Sequence, residues 1–171
     1  MNKKIVVING SGGVGKDAFV LLCQEELGAD KVWNYSSVDK VKEIAYACGW
    51  DGTKTEAARK FLSDLKDLTE RFNEMPYRSM VEKIESFKRD EYAQILFLHI
   101  REPEQISRMC NEFNAASVLV TRAGHEQIIS NHADAGVYEY TYDYEIHNNG
   151  TLDDLAKTAA DWCDTLLAPV A

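Results

Sequence analysis

Ile5-Val6-Val7-Ile8 is an unbroken apolar run with no polar alternation, the pattern of a strand covered on both faces. A glycine-rich stretch from Gly10 to Gly15 follows it, and a helix is predicted from about Lys16 to Leu27. Val32-Trp33-Asn34-Tyr35 reads as a second strand. Ser36-x-x-Asp39 then has capping-box spacing with the shorter acid. After it Val38, Val41, Ile44, Ala45 and Cys48 recur at helical spacing, and Gly49 stops the helix. Ala58, Phe61, Leu62, Leu65, Leu68 and Phe72 mark another helix. A further one starts at Pro76, with Tyr77, Met80, Val81, Ile84 and Phe87 on one face.

Residues 36–89 are therefore expected to be almost wholly helical, between the second strand and a third at Ala93 to Leu98. Pro103 opens a short helix carrying Ile106, Met109, Cys110 and Phe113, and Val118-Leu119-Val120 is the next strand. Tyr138, Tyr140, Tyr142, Tyr144 and Ile146 alternate with polar residues, which predicts one half-exposed extended segment with the tyrosines on a packed face. A last helix follows Thr151, with Leu152, Leu155, Ala156, Ala159, Cys163 and Leu166 facing inward. Alternating strands and helices give an α/β three-layer sandwich around a mainly parallel five-stranded sheet, with a helical insertion between strands 2 and 3. Ligands of such sheets sit outside the carboxyl ends of the strands. No repeat or linker divides the 171 residues, so one domain is expected.

Composition removes several classes. No apolar run approaches the ~18 residues of a membrane span. Met1-Asn2-Lys3-Lys4 precedes only four apolar residues, short of a signal-peptide core of roughly 7–15, so a cytoplasmic protein is expected. The formal charge of −9 argues against a general binder of nucleic acid polymers. It leaves room for a small anion in a locally basic cleft. Cys23, Cys48, Cys110 and Cys163 form no C-x-x-C pair and read as small buried apolar residues. His125, His132 and His147 have no ligand spacing to one another or to cysteine, so no zinc site is assigned. Monomer and homodimer both stay open.

The sharpest chemical signal is Gly10-Ser11-Gly12-Gly13-Val14-Gly15-Lys16, a G-x-x-x-x-G-K sequence directly after a buried strand and before a helix. Glycines let backbone N–H groups converge on an anion without Cβ clashes, and the helix start adds unpaired donors. Lys16 can reach the β- and γ-phosphates as a point charge. Gly10, Gly12 and Gly15 also satisfy G-x-G-x-x-G. However, Asn34, Tyr35 and Ser36 stand where a dinucleotide site needs a ribose-binding acid. Asp17 occupies the place where a phosphate-loop usually has Ser or Thr; its carboxylate is read as the Mg²⁺ ligand, or alternatively as a residue that favours the helix start.

Gly-Lys-Asp at the end of a phosphate-loop resembles the deoxynucleoside monophosphate kinases of phages and bacteria, and the animal-type phosphomevalonate kinases. The likeness covers most of the chain: Tyr35 to Ala45, Gly49 to Arg59, Arg101 and Glu104, Arg122, and Ile146-His147-Asn148-Asn149-Gly150-Thr151-Leu152. It implies a P-loop kinase of the nucleoside monophosphate kinase type, transferring phosphate from ATP with Mg²⁺ to a nucleoside or deoxynucleoside monophosphate. Phosphomevalonate- or dephospho-coenzyme A-like acceptors, and a non-catalytic ATP-binding regulator, are the alternatives. Kinases of this kind often end the central strand in a metal-serving aspartate, where this chain has His99.

ATP is expected on Gly10, Ser11, Gly12, Gly13, Val14, Gly15, Lys16 and Asp17, with Arg122 meeting adenine or phosphate. The acceptor is expected under the 36–89 helices, where the resemblance marks Lys42 and Arg59, and Arg78 is a further candidate. Asp39 orients or deprotonates an acceptor oxygen, binds sugar hydroxyls, or caps its helix. Arg101 and Arg108, seven apart, are expected to share a face of a lid at about 101–116 that closes over ATP.

Overall fold

The computed structural model describes residues 2–125 and 136–169. Five strands form one sheet: β1 (Lys4–Asn9), β2 (Val32–Ser36), β3 (Ile95–His99), β4 (Ala116–Thr121) and β5 (Tyr144–His147). Their order is β2-β3-β1-β4-β5, and every pairing is parallel. Val6 pairs with Phe97 on one side of β1 and with Ala116 on the other. Among the described residues the helices are α1 (Lys16–Leu27), α2 (Asp39–Ala47), α3 (Glu56–Asn73), α4 (Met75–Arg89), α5 (Pro103–Phe113) and α6 (Leu152–Leu167). No described helix is long and apolar enough to cross a membrane.

The unbroken apolar runs are explained by the two faces of the sheet. Val6, Ile8, Phe97, Val118 and Val120 pack with Phe19 of α1 and Trp162 of α6. On the opposite face Val7, Leu96 and Leu98 pack with Met80 and Ile84 of α4 and Ile106 and Met109 of α5. Alternate residues therefore serve different layers, and neither face can be polar. The three-layer sandwich and the helical insertion between β2 and β3 match the pattern in the sequence.

Four local expectations change. Only Tyr144–His147 is strand; Gly136–Tyr138 is a short 3₁₀ turn. The Asp143 carboxylate accepts from both Ser117 N and Ser117 Oγ at 2.8 Å, capturing a β4 amide that a longer strand would need. The Ser36–Asp39 pair is half a box: Asp39 Oδ2 accepts from Ser36 N at 2.8 Å, but α2 begins at Asp39 itself and Val38 is its N-cap. Leu152 is exposed, because it opens α6 under a Thr151–Asp154 capping box. Cys23 and Cys163 are buried as expected, whereas Cys110 is half-buried and Cys48 exposed.

Helix α3 buries none of its 18 residues. Phe61, Leu68 and Phe72 of its apolar stripe remain exposed. Polar contacts join it to the residues around α5, Lys66 to Glu102 and Glu70 to Gln105, and Glu74, just past its end, pairs with Arg108.

Candidate functional site

The glycine-rich loop leaves β1 at Asn9, whose side chain is fully buried. Its Oδ1 accepts from Gly10 N at 2.8 Å, and its Nδ2 donates to Tyr142 Oη at 2.8 Å and to the Arg101 carbonyl at 3.3 Å. One amide thus fixes the start of the loop against two other segments. Gly10 has φ +146°, and a Cβ there would lie 2.4 Å from the Val120 carbonyl oxygen. Gly15 has φ +103°, and a Cβ would lie 2.4 Å from Asn148 Nδ2, which donates to Val14 O at 2.9 Å. Ser11 Oγ sits 3.1 Å from Tyr138 Oη, and His125 Nε2 sits 2.6 Å from Gly12 O.

Gly15 caps α1 without any side-chain hydrogen bond. The first amides of α1 therefore keep their unpaired donors facing the loop, the arrangement that favours an anion. Lys16 folds back across the loop, donating from Nζ to Gly10 O at 2.5 Å and to Ser11 O at 2.9 Å. Burial, reinforced by the nearby Arg101 charge and opposed by Asp17, brings Lys16 down to about 8. A polyphosphate on the loop would raise it again. Around pH 8.5 nucleotide binding should therefore take up a proton, and near pH 6.5, where Lys16 is already charged, it should not. Calorimetry in buffers of different ionisation heat measures this. A result with no uptake near pH 8.5 would mean that Lys16 does not meet the phosphates.

Across the carboxyl ends of β2 and β3 lie the other charged groups. Asp17 is almost fully exposed at the start of α1, and its Oδ1 lies 4.0 Å from His99 Nδ1 at the end of β3. Burial lowers the His99 pKa; Asp17 and Asp39 act against it, while Lys16 and Lys42 act with it. All four charges thus surround one imidazole. Asp39 Oδ1 lies 3.6 Å from Lys42 Nζ, while its Oδ2 holds Ser36 N. Arg101 is partly buried, and its pKa is lowered by burial. Asp17, Asp39, Lys16 and Lys42 therefore all act on His99, and Arg101 acts on Lys16.

The remaining candidates stand elsewhere. Arg122 is exposed just past β4, in a turn where Asn149 Oδ1 accepts from Ala123 N at 2.6 Å. Arg59 is exposed on α3, and Arg78 is exposed on α4 beside Glu74, Tyr77 and Glu82. Arg108 lies over the Tyr77 ring at 3.5 Å and pairs with Glu74 at 2.7 Å and Glu112 at 3.0 Å. It does not share a helix with Arg101, which precedes α5; that helix seats Ile106 and Met109 fully in the core. His132 lies outside the described residues.

Sequence reasoning missed Asn9, Tyr142, His125 and the clamp made by Asn148. Asn9 carried a local signal, as a polar residue ending an apolar run immediately before the glycines, and Asn148 stood in a run marked by the family resemblance but with no role. The others meet the loop through contacts spanning more than a hundred residues.

No family model and no curated protein matches the chain. Among solved structures it is similar to a sugar kinase from Janibacter sp., with TM-score 0.53 and 12% identity over 98% of this chain and 99% of that one. It is similar also to shikimate kinase from Aquifex aeolicus, with TM-score 0.50 and 10% identity over 94% and 96%. At such identities the likeness establishes the fold alone, a parallel α/β sandwich that both kinases share.

Proposed function

We propose that this protein transfers the γ-phosphoryl group of ATP to a nucleoside or deoxynucleoside monophosphate, giving ADP and a diphosphate. The observation that carries the reading is the loop itself: a glycine cradle, an uncapped α1 start and Lys16 Nζ held over both. Lys16 would exchange the Gly10 and Ser11 carbonyls for β- and γ-phosphate oxygens. Phosphoryl transfer needs mostly positioning and charge stabilisation, and Lys42 and Arg101 supply cations beside the loop. Arg59 and Arg78, on the exposed faces of α3 and α4, are proposed for acceptor phosphate, and Arg122 for adenine or phosphate. Arg108 would contribute only if its Glu74 and Glu112 pairs opened.

The state of Asp39 supports a phosphate monoester as acceptor. Its carboxylate is engaged by Ser36 N and lies beside Lys42, so it is placed to orient an acceptor more than to take a proton. A phosphate monoester needs no base, since its second ionisation lies near pH 6. Asp17 fits a cation role: it is an exposed carboxylate directly after the phosphate-binding lysine. It would hold Mg²⁺, which when bound neutralises charge on the β- and γ-oxygens.

The test is a panel of nucleoside and deoxynucleoside monophosphates incubated with protein, ATP and Mg²⁺, with ADP and diphosphate separated chromatographically. Stoichiometric formation of both products is expected for at least one acceptor. ADP no higher than in the ATP-only control, across the whole panel, would overturn the reading.

A further inference from the structure

We infer that the outward face of α3 pairs with the same face of a second copy of this chain, antiparallel about a twofold axis, so that the protein dimerises in solution. The pairing does not depend on the phosphoryl-transfer reading.

Four apolar side chains line that face. Phe61, Leu65, Leu68 and Phe72 recur at intervals of four, three and four residues, the spacing of a helix–helix seam. At about 100° per residue they lie on the side turned away from Lys66 and Glu70, which hold α3 to the residues around α5. Phe61 is 39% exposed, Leu68 57% and Phe72 83%, and Leu65 is half-buried between them. For side chains of this size those fractions leave roughly 350 Å² of apolar surface per copy, the scale of a patch that marks an interaction site. Two such patches face to face, with their polar rims, come near the ~1,200 Å² at which specific interfaces begin, which fits association in the micromolar range.

The charges select the occupant and its direction. A twofold contact must be complementary to itself. With the axis level with the peptide between Lys66 and Asp67, Phe61 meets Phe72 of the second copy and Leu65 meets Leu68. Asp64 and Arg71 lie along one edge of the stripe, seven residues apart. In this antiparallel register Asp64 of each copy stands opposite Arg71 of the other, so two ion pairs flank the apolar layers. In a parallel register Asp64 would face Thr69, and no charge pair would form. Both groups can be recruited. Asp64 pairs with Lys60 at 2.6 Å where both side chains stand largely in water, a bond worth little, and Arg71 is exposed and meets no carboxylate among the described residues.

The experiment is sedimentation velocity of the full chain over a range of about 2–200 µM, where reversible monomer–dimer exchange is expected. Phe72→Glu should raise the dissociation constant at least about tenfold. Its Tm at the dilute end should match the parent, since Phe72 is mostly in solvent in the single chain. Asp64→Arg and Arg71→Asp each set like charges against one another across the axis, and each alone should weaken the dimer about tenfold. Mixed in equal amounts, these two variants should associate more tightly than either does alone, because the new arginine then faces the new aspartate and both native partners face each other. A parent that stays monomeric throughout would leave the stripe to some other partner and overturn the inference. A dimer indifferent to Phe72→Glu would lie on another face, and a mixture no tighter than its components would have another register; either result overturns it too.

Discussion

Replacing Lys16 by alanine lowers turnover by about 10²–10³-fold while leaving the fold intact, because the missing group is a preorganised charge at the transferring phosphate. The side chain touches no part of the apolar core; its Nζ bonds only the loop carbonyls of Gly10 and Ser11. Burial already depresses Lys16, so the empty protein gains little from keeping it charged. The expected result is therefore a fall in kcat with circular dichroism and Tm near the parent. Loss of less than about tenfold under saturating ATP, with the fold preserved, would remove Lys16 from the phosphate contacts. A large fall in Tm would point to a structural role instead.

The Gly10→Ala substitution acts through the backbone. At φ +146° an L-residue is strained, and its Cβ would meet the Val120 carbonyl oxygen at 2.4 Å. Val120 lies within β4, paired to β5 and buried at 0% exposure, so that carbonyl has nowhere to retreat. The loop must move instead, against the Asn9 hydrogen bond to Gly10 N. Strain and overpacking together give an expected cost of about 2–6 kcal/mol, read as a lowered denaturation midpoint with loss of nucleotide binding. Gly12→Ala is the internal control. A Cβ there meets nothing within 4 Å, and its φ lies outside the left-handed region. If both variants were equally stable, the close approach of Gly10 to β4 would be wrong.

The sheet was legible because each of its buried strands must be apolar on two faces, and that leaves unbroken runs such as Ile5–Ile8 and Ile95–Leu98. The phosphate-loop was legible for a local reason too: its strand, turn, lysine and helix are contiguous. The tyrosine segment was misread because one side chain, Asp143, took a backbone donor from β4. Period two alone does not register such a competitor. The apolar stripe of α3 was legible as a helix, but its burial was not, since periodicity gives a face and not what covers it. Arg101 and Arg108 illustrate the same gap: their spacing was right for one helix, yet α5 begins between them. The supports of the loop, Asn9–Tyr142 and Val14–Asn148, depend on chain crossings that leave no trace in spacing.

The attachment of α3 has a thermodynamic consequence. Lys66, Glu70 and Glu74 follow one another at four-residue intervals and meet Glu102, Gln105 and Arg108 in turn. Such a seam derives little from hidden hydrocarbon, so parting it uncovers little new surface. The denaturant dependence and heat capacity of that local opening would be small compared with those of melting the sheet. Dissolved ions would act on it most where its pairs reach solvent, at Glu74 and Arg108, and least at the secluded Lys66–Glu102 contact.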